Sequence, residues 1–315
     1  MRRHYPVARV LVTRRLPFPS LERLPAAGHD VQTWPGELPP SARELRDAIR
    51  DSEGLLCLLT ERVDDEVLDA APHLRAVAVM AVGTDNVDLE ACRRRGIPVG
   101  NTPGVLTEAT ADLAFALLLA AARKLPDAAA AIPAGAWLTW EPAAFLGADV
   151  HGATLGIVGY GRIGQAVARR ANGFDMRVLT TRDTELTALL AAADFVTLHV
   201  PLSEATRRLV DTDFLNRMKP TAILVNTSRG GVIDQPALIA ALNAKTIAGA
   251  ALDVTDPEPL PADDPLLNVP NLLVVPHIGS ATRSTRARMA ELAVDNLLAG
   301  LAGEPMPHGV GGTTS

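Results

Sequence analysis

Thr154-Leu155-Gly156-Ile157-Val158-Gly159-Tyr160-Gly161-Arg162-Ile163-Gly164 runs an apolar strand straight into a glycine-rich turn, and Gln165–Ala171 continues from it as a helix. The three turn glycines have separate jobs. Gly159 makes the tight turn, Gly161 lets the backbone approach a pyrophosphate, and Gly164 lets the helix pack closely on the strand. The first turn of that helix then offers its unpaired N–H groups to phosphate oxygens. A Gly-x-Gly-x-x-Gly alone is a weak signal, but here it sits between a strand and a helix, as the mechanism requires. The stretch implies a dinucleotide-binding βαβ unit.

Downstream, the strand Met176–Thr180 is where an acid would hold the ribose of NAD. The chain reads Thr180-Thr181-Arg182 instead. Threonine and arginine suit a 2′-phosphate, which favours NADP, although Asp183 next door pulls the other way and leaves NAD possible. Only Thr181–Ala193 separates this strand from the next, Asp194–Val200, so there is room for one helix and the usual third strand is missing.

Three later strands end in candidate chemistry, at the carboxyl edge where open α/β sheets bind ligands. Ala222–Asn226 leads into Thr227-Ser228-Arg229-Gly230-Gly231, and an arginine there can fork onto a carboxylate and a keto oxygen. The plainer alternative pairs Arg229 with a structural acid. Ala248–Val254 leads into Asp256-Pro257-Glu258-Pro259; taken alone, Glu258 reads as a turn acid. Leu272–Val275 leads into Pro276-His277-Ile278-Gly279-Ser280. A histidine so placed can donate a proton near neutral pH, and Glu258 could raise its pKa and fix its tautomer. His199 points toward the cofactor at best; His4, His29, His73, His151 and His308 read as loop or surface residues, and no histidine spacing suggests a metal. In the first third, Val82-Gly83-Thr84-Asp85 follows a β-type run, and Gly83 allows close backbone approach to an anion; the simpler reading is a turn glycine.

Around these motifs, 315 residues with 48% hydrophobic and 3% aromatic content allow two domains whose cores are filled by Ala, Leu and Val. The runs Arg9–Val12, Ser41–Asp51, Gly54–Leu59, Asp65–Ala71 and Ala76–Val82 alternate strand and helix. A long helix is expected from Glu108 to Lys124, with Thr107 as N-cap and Pro126 as its stop. The segment Ile132–Val150 reads as irregular and carries Trp137 and Trp140, which either pin it to its own domain or serve function. A helix is expected over Arg286–Leu298, and the tail after Pro307 as disordered. A net charge of −6 argues against a nucleic-acid partner, and Arg93-Arg94-Arg95 reads as a solvated helix end. Cys57 and Cys92 make neither a disulfide framework nor a zinc site. The basic start Met1–Pro6 lacks a signal-type apolar run, and Leu113–Ala122 is too short to cross a bilayer. A cytoplasmic setting and no membrane partner are expected.

From about Val7 to Pro307 the chain resembles the D-isomer-specific 2-hydroxyacid dehydrogenase family. The matches are Ala81-Val82-Gly83-Thr84-Asp85-Asn86, Asn101-Thr102-Pro103-Gly104-Val105-Leu106-Thr107, the glycine turn, Asn226–Gly230, Leu252–Pro259 and Pro276–Thr282. Trp137-Leu138-Thr139-Trp140-Glu141-Pro142, Phe145-Leu146-Gly147 and Gly303-Glu304-Pro305-Met306-Pro307 look most like the glyoxylate/hydroxypyruvate reductases within it. The resemblance implies an α/β fold of two Rossmann-like parallel-sheet domains with a cleft between them: a discontinuous substrate domain, residues 1–100 and 284–315, and a dinucleotide domain, residues 101–283. It implies NAD(P)H-dependent reduction of glyoxylate or hydroxypyruvate to the D-2-hydroxy acid, with His277 as acid/base, Glu258 as its partner and Arg229 as substrate clamp. Val82, Gly83, Ser280 and Trp140 would border the substrate. Thr107, Gly159, Gly161, Arg162, Ile163, Gly164, Thr181, Arg182, Pro201, Thr227, Asp253 and Gly279 would line the cofactor. A homodimer is implied, with Trp140 reaching into the partner's pocket. The sequence departs from the family by about fifteen residues after Arg182, where relatives have their third Rossmann strand, and by Thr84, where many carry a larger side chain. A dinucleotide-sensing protein or a pseudo-enzyme of the same fold is the alternative.

Overall fold

A computed structural model describes residues 7–311, so the basic start, His4 and the last four residues lie outside it. The chain divides into two compact units, Met1–Leu106 with Thr282–Ser315, and Thr107–Ala281. The strands in chain order are β1 (Arg9–Val12), β2 (Asp30–Thr33), β3 (Gly54–Cys57), β4 (Ala76–Val79), β5 (Val99–Gly100), β6 (Thr154–Val158), β7 (Arg177–Thr180), β8 (Phe195–Leu198), β9 (Ile223–Asn226), β10 (Gly249–Leu252), β11 (Leu272–Val274) and β12 (Gly309–Val310).

The first unit holds the sheet β12-β5-β4-β3-β1-β2, parallel except for β12. Gly54-Leu55-Leu56-Cys57 and Ala76-Val77-Ala78-Val79 are buried along their whole length, as expected of central parallel strands covered on both faces. The period of two divides their side chains. Leu11, Leu55, Val77 and Val79 pack with Leu45, Ile49 and Ala91 on one face. Val10, Val12, Leu56 and Ala78 pack with Met289, Ala293 and Leu297 of the helix Arg283–Leu301 on the other.

The second unit holds a six-stranded parallel sheet, β11-β10-β9-β8-β6-β7. Phe195, Ile223, Val225 and Ala251 face the helices Thr107–Ala122 and Arg162–Ala171. Val196, Leu198, Leu224 and Leu252 face Leu189, Phe214 and Leu238. The sheet ends at β7, and the only helix between β7 and β8 is Leu186–Ala192, so no third strand lies beyond β7 among the described residues.

Four expectations change. Thr107 is the first residue of its helix, not its cap, because a turn at Val105-Leu106 starts the helix early. That helix ends at Ala122, and Pro126 is the second residue of a new helix, Leu125–Ala131, after Lys124 with φ 50. A proline in a first turn lacks only an N–H that would go unpaired there, so it can begin a helix as well as end one. The tail after Pro307 is ordered as far as Gly311, since β12 pairs with β5 and the His308 N–H donates to Asn296 Oδ1 at 2.9 Å. His29 is buried at 7% exposure, accepting from the Ala8 N–H on Nδ1, and burial lowers its pKa.

Candidate active site

The glycine turn closes as its spacing requires. Gly159 has φ +94, and a Cβ there would fall 2.6 Å from the His199 carbonyl oxygen. A Cβ on Gly164 would fall 2.3 Å from the Gly159 carbonyl oxygen, so the helix Arg162–Ala171 begins hard against the turn. A Cβ on Gly161 would meet nothing within 4 Å. That position lines open space at the N-terminus of a ten-residue helix with no side-chain cap, which leaves room and donors for a pyrophosphate. Thr181 Oγ1 accepts from the Gly159 N–H at 3.1 Å and so ties β7 to the turn. The Arg182 guanidinium lies 4.9 Å from the ring centroid of Tyr160, a cation–π contact that the sequence reading did not foresee.

Beside the turn, two buried polar atoms lack a partner, His199 Nδ1 and Thr227 Oγ1. They follow β8 and β9, at the carboxyl edge of the sheet. His199 shares a hydrogen bond of 3.0 Å with Thr197 Oγ1 through Nε2, and burial pushes its pKa down to about 4. Buried polar atoms are normally paired, so an edge with open glycine space and unspent polar atoms fits a bound dinucleotide. Thr107 and Pro201 are in the same unit, at the start of the helix Thr107–Ala122 and after β8; Pro201 accepts from Thr206 Oγ1 at 2.5 Å through its carbonyl.

The loops after β9, β10 and β11 are tied to one another. Asn226 is fully buried; its Oδ1 accepts from the Ser228 N–H and Oγ, and its Nδ2 donates to the Arg229 carbonyl at 2.9 Å. This cradle sets the backbone of Arg229, whose Nη1 donates to the Ser228 carbonyl at 3.0 Å. A Cβ on Gly230 would fall 2.0 Å from the Thr255 carbonyl, so the loop bearing Glu258 lies against this one. Thr255 Oγ1 donates to the Pro257 carbonyl at 2.8 Å, bracing the next turn. Glu258 Oε1 meets His277 Nδ1 in a short hydrogen bond, with both side chains partly exposed.

His277 has φ 52, a left-handed conformation that a branchless residue would adopt more readily. Asp253 explains how it is held. The His277 N–H donates to the Asp253 carbonyl at 2.8 Å, and the carboxylate accepts from the Ile278 N–H at 2.6 Å and the Gly279 N–H at 2.8 Å. Burial raises the Asp253 pKa. Thr110 Oγ1 donates to the Gly279 carbonyl at 3.3 Å, which ties the loop to the helix Thr107–Ala122. The structure thus brings together Thr227, Arg229, Asp253, Glu258, His277, Gly279 and Ser280 on neighbouring loops of one unit. Val82 and Gly83 belong to the other unit, after β4. Trp140 is 80% exposed on an irregular segment with Trp137 and Leu138 also exposed. Asn226, Thr255 and Tyr160 were missed as contributors; only the position of Asn226 at the end of a buried strand could have signalled its part. Among the described residues no group of His, Cys, Asp and Glu could hold a metal ion.

Residues 115–279 match the family described as D-isomer specific 2-hydroxyacid dehydrogenase, NAD binding domain. This chain belongs to that family. Among its relatives, the glyoxylate reductase of Korarchaeum cryptofilum is 50% identical over 95% of each chain. The human glyoxylate reductase/hydroxypyruvate reductase is 44% identical over 95% of this chain and 96% of its own. Among solved structures, a protein from Thermus thermophilus superposes with a TM-score of 0.90 at 50% identity, covering 96% of this chain and 99% of that one. An NADPH-dependent glyoxylate/hydroxypyruvate reductase from Sinorhizobium meliloti, in complex with NADP and malonate, superposes with a TM-score of 0.84 at 34% identity, covering 96% and 97%. As a D-2-hydroxyacid dehydrogenase, the chain is an enzyme that reduces keto acids with a nicotinamide dinucleotide. A sensing protein without turnover is not favoured by these relatives.

Proposed function

We propose that the substrates are glyoxylate and hydroxypyruvate, reduced to D-2-hydroxy acids with NADPH as the preferred donor. The observation that carries the proposal is the Glu258–His277 pair. With Nδ1 engaged by Glu258, Nε2 is the nitrogen that meets the keto oxygen, and the carboxylate stabilises the charged ring that must deliver the proton. A nicotinamide dinucleotide held on the glycine turn would supply the hydride for the keto carbon. Arg229 forks onto the substrate carboxylate and the keto oxygen and steadies charge developing there, and the N–H groups of Val82 and Gly83 are also assigned to the carboxylate. Ser280 and Trp140 border the substrate.

Along the cofactor, Gly159, Gly161, Arg162, Ile163 and Gly164 take the pyrophosphate, and Thr181 and Arg182 take the 2′-phosphate. Thr107, Pro201, Thr227, Asp253 and Gly279 line the remainder. Support for NADPH comes from Thr181 and Arg182 directly after β7 and from the stacking of Arg182 on Tyr160, which presents a cation there, against the Asp183 carboxylate that accepts from Thr180 Oγ1 at 3.2 Å. The exposed Trp137, Leu138, Trp140 and Leu146 support a homodimer in which this segment is covered by the partner, and we assign the enzyme to the cytoplasm.

The test follows absorbance loss at the nicotinamide band with glyoxylate and hydroxypyruvate, using NADPH and NADH in parallel. Rapid NADPH oxidation with both acids is expected. Turnover only with bulkier 2-keto acids overturns the substrate reading, and faster NADH oxidation overturns the coenzyme reading. Light scattering on a sizing column reads the dimer, and a monomer removes the role given to Trp140.

A further inference from the structure

We infer that Asn101, backed by Asn296 and the C-terminal strand β12, is a positioning residue for the substrate's carboxylate seat. The inference rests on the proposal that the Val82 and Gly83 amides form that seat.

Asn101 Nδ2 donates to the Val82 carbonyl at 2.7 Å. The bond between Val82 and Gly83 is trans, and in a trans peptide the C=O and the following N–H point in opposite directions. Holding the Val82 oxygen therefore turns the Gly83 N–H away from Asn101. Among the described residues the Gly83 N–H donates to no backbone carbonyl, and Gly83 is partly exposed, so its donor is open to a ligand in place of solvent.

Asn101 is itself held at both backbone ends. Its N–H donates to the His308 carbonyl at 3.1 Å, and its carbonyl accepts from Asn296 Nδ2 at 2.8 Å. Asn296 is fully buried in the helix Arg283–Leu301, and its Oδ1 accepts from the His308 N–H at 2.9 Å. A buried asparagine is costly unless its amide is satisfied; here both of its polar atoms are used on this relay. Gly100 makes room for it, since a Cβ there would fall 2.5 Å from Asn296 Cγ. The far end of the same loop is pinned separately, by Asn86 Nδ2 donating to the Leu58 and Glu61 carbonyls at 2.9 and 2.7 Å. Asn86 thus fixes where the loop lies, and Asn101 fixes which way one of its amides faces. His308 and β12 thus reach the seat through hydrogen bonds alone.

The test measures kcat, the KM for glyoxylate and for NADPH, inhibition by oxalate, and Tm, in four full-length variants. Asn101→Ala and the isosteric Asn101→Asp, which cannot donate, should each raise the glyoxylate KM and the oxalate inhibition constant about tenfold. The NADPH KM and kcat should stay within about twofold, a split that loss of mere structural support would not give. Asn296→Ala should raise the glyoxylate KM by a smaller factor in the same direction. Gly83→Pro, which deletes the amide itself, is the reference. If it raises the glyoxylate KM while both Asn101 variants leave it unchanged, the positioning role falls and the seat stands. If none of the four moves it, the seat at Val82 and Gly83 falls as well. If Asn101 variants act and Asn296→Ala does not, the relay to the C-terminal strand is overturned.

Discussion

The two sheets share one strand order and have different carboxyl edges. Counted within its own unit, each runs second, first, third, fourth, fifth and a sixth strand, which is antiparallel β12 in one and parallel β11 in the other. In the second unit the first strand enters the turn Gly159–Gly164 and an uncapped helix of ten residues. In the first unit β1 enters Thr13-Arg14-Arg15-Leu16-Pro17-Phe18 and a short 3-10 turn, Pro19–Glu22. There Glu61, almost fully buried, accepts from Thr13 Oγ1 at 2.6 Å and the Leu58 N–H at 2.7 Å, with Arg14 3.7 Å away, while Arg14 Nε, Ser20 Oγ and Thr102 Oγ1 are buried without a partner. In the second unit Thr227 Oγ1 and His199 Nδ1 are buried and unspent. Sheet order therefore does not say which unit holds the dinucleotide, and neither do unspent polar atoms, which both units have; the first turn does.

The comparison breaks most visibly at His277. His277→Ala should lower keto-acid reduction about a thousandfold, with NADPH binding by fluorescence unchanged; a variant keeping a tenth of the rate would move the acid off this edge.

Acid should sharpen the comparison next. Burial holds His199 at about 4 against its ordinary 6.5. The fold accommodates the neutral ring, so its contribution is complete above pH 6.5 and is lost as pH falls toward 4, on the order of 3 kcal/mol. Urea unfolding at pH 7.5 and pH 4 should show a smaller acid loss in His199→Asn than in the unaltered enzyme, and equal losses would mean that the ring is solvated.

Two glycines with nearly equal φ, Gly159 at +94 and Gly28 at +95, make a matched pair across the units. Gly159→Ala should weaken NADPH binding about a hundredfold, through strain and collision with the His199 carbonyl. Gly28→Ala meets nothing within 4 Å and should cost stability alone. Equal effects on NADPH would erase the distinction between the two edges. The smallest expected effect is at Arg182, where Arg182→Ala should weaken NADPH about tenfold and NADH hardly at all; equal losses would remove the 2′-phosphate contact.

Much of this was legible because buried parallel strands are continuous apolar runs. Gly54–Cys57, Ala76–Val79 and Phe195–Leu198 announce themselves, and the loops after β9, β10 and β11 follow from where such runs stop. β2 was not legible: Asp30-Val31-Gln32-Thr33 is an outer strand with hardly any buried face, so it carries no apolar period. Nor was β12, where Gly309 and Val310 are ordered by backbone pairing and the adjacent His308 is held by Asn296, twelve residues earlier in the chain and silent as to its partner. Pro126 misled because one residue can begin or end a helix. The hydrogen bond between His277 and Glu258 joins residues that the sequence already pairs, but Asp253 holding the His277 loop by two amides needed coordinates.

The abrupt end of the second sheet at β7 has a consequence for solubility. An outer strand presents a row of backbone donors and acceptors that another molecule can extend, which is how aggregation begins. β7 is only four residues long and opens with exposed Arg177, two features that discourage such pairing. With β7 as the sheet's margin, a charged residue there guards it against joining a stranger.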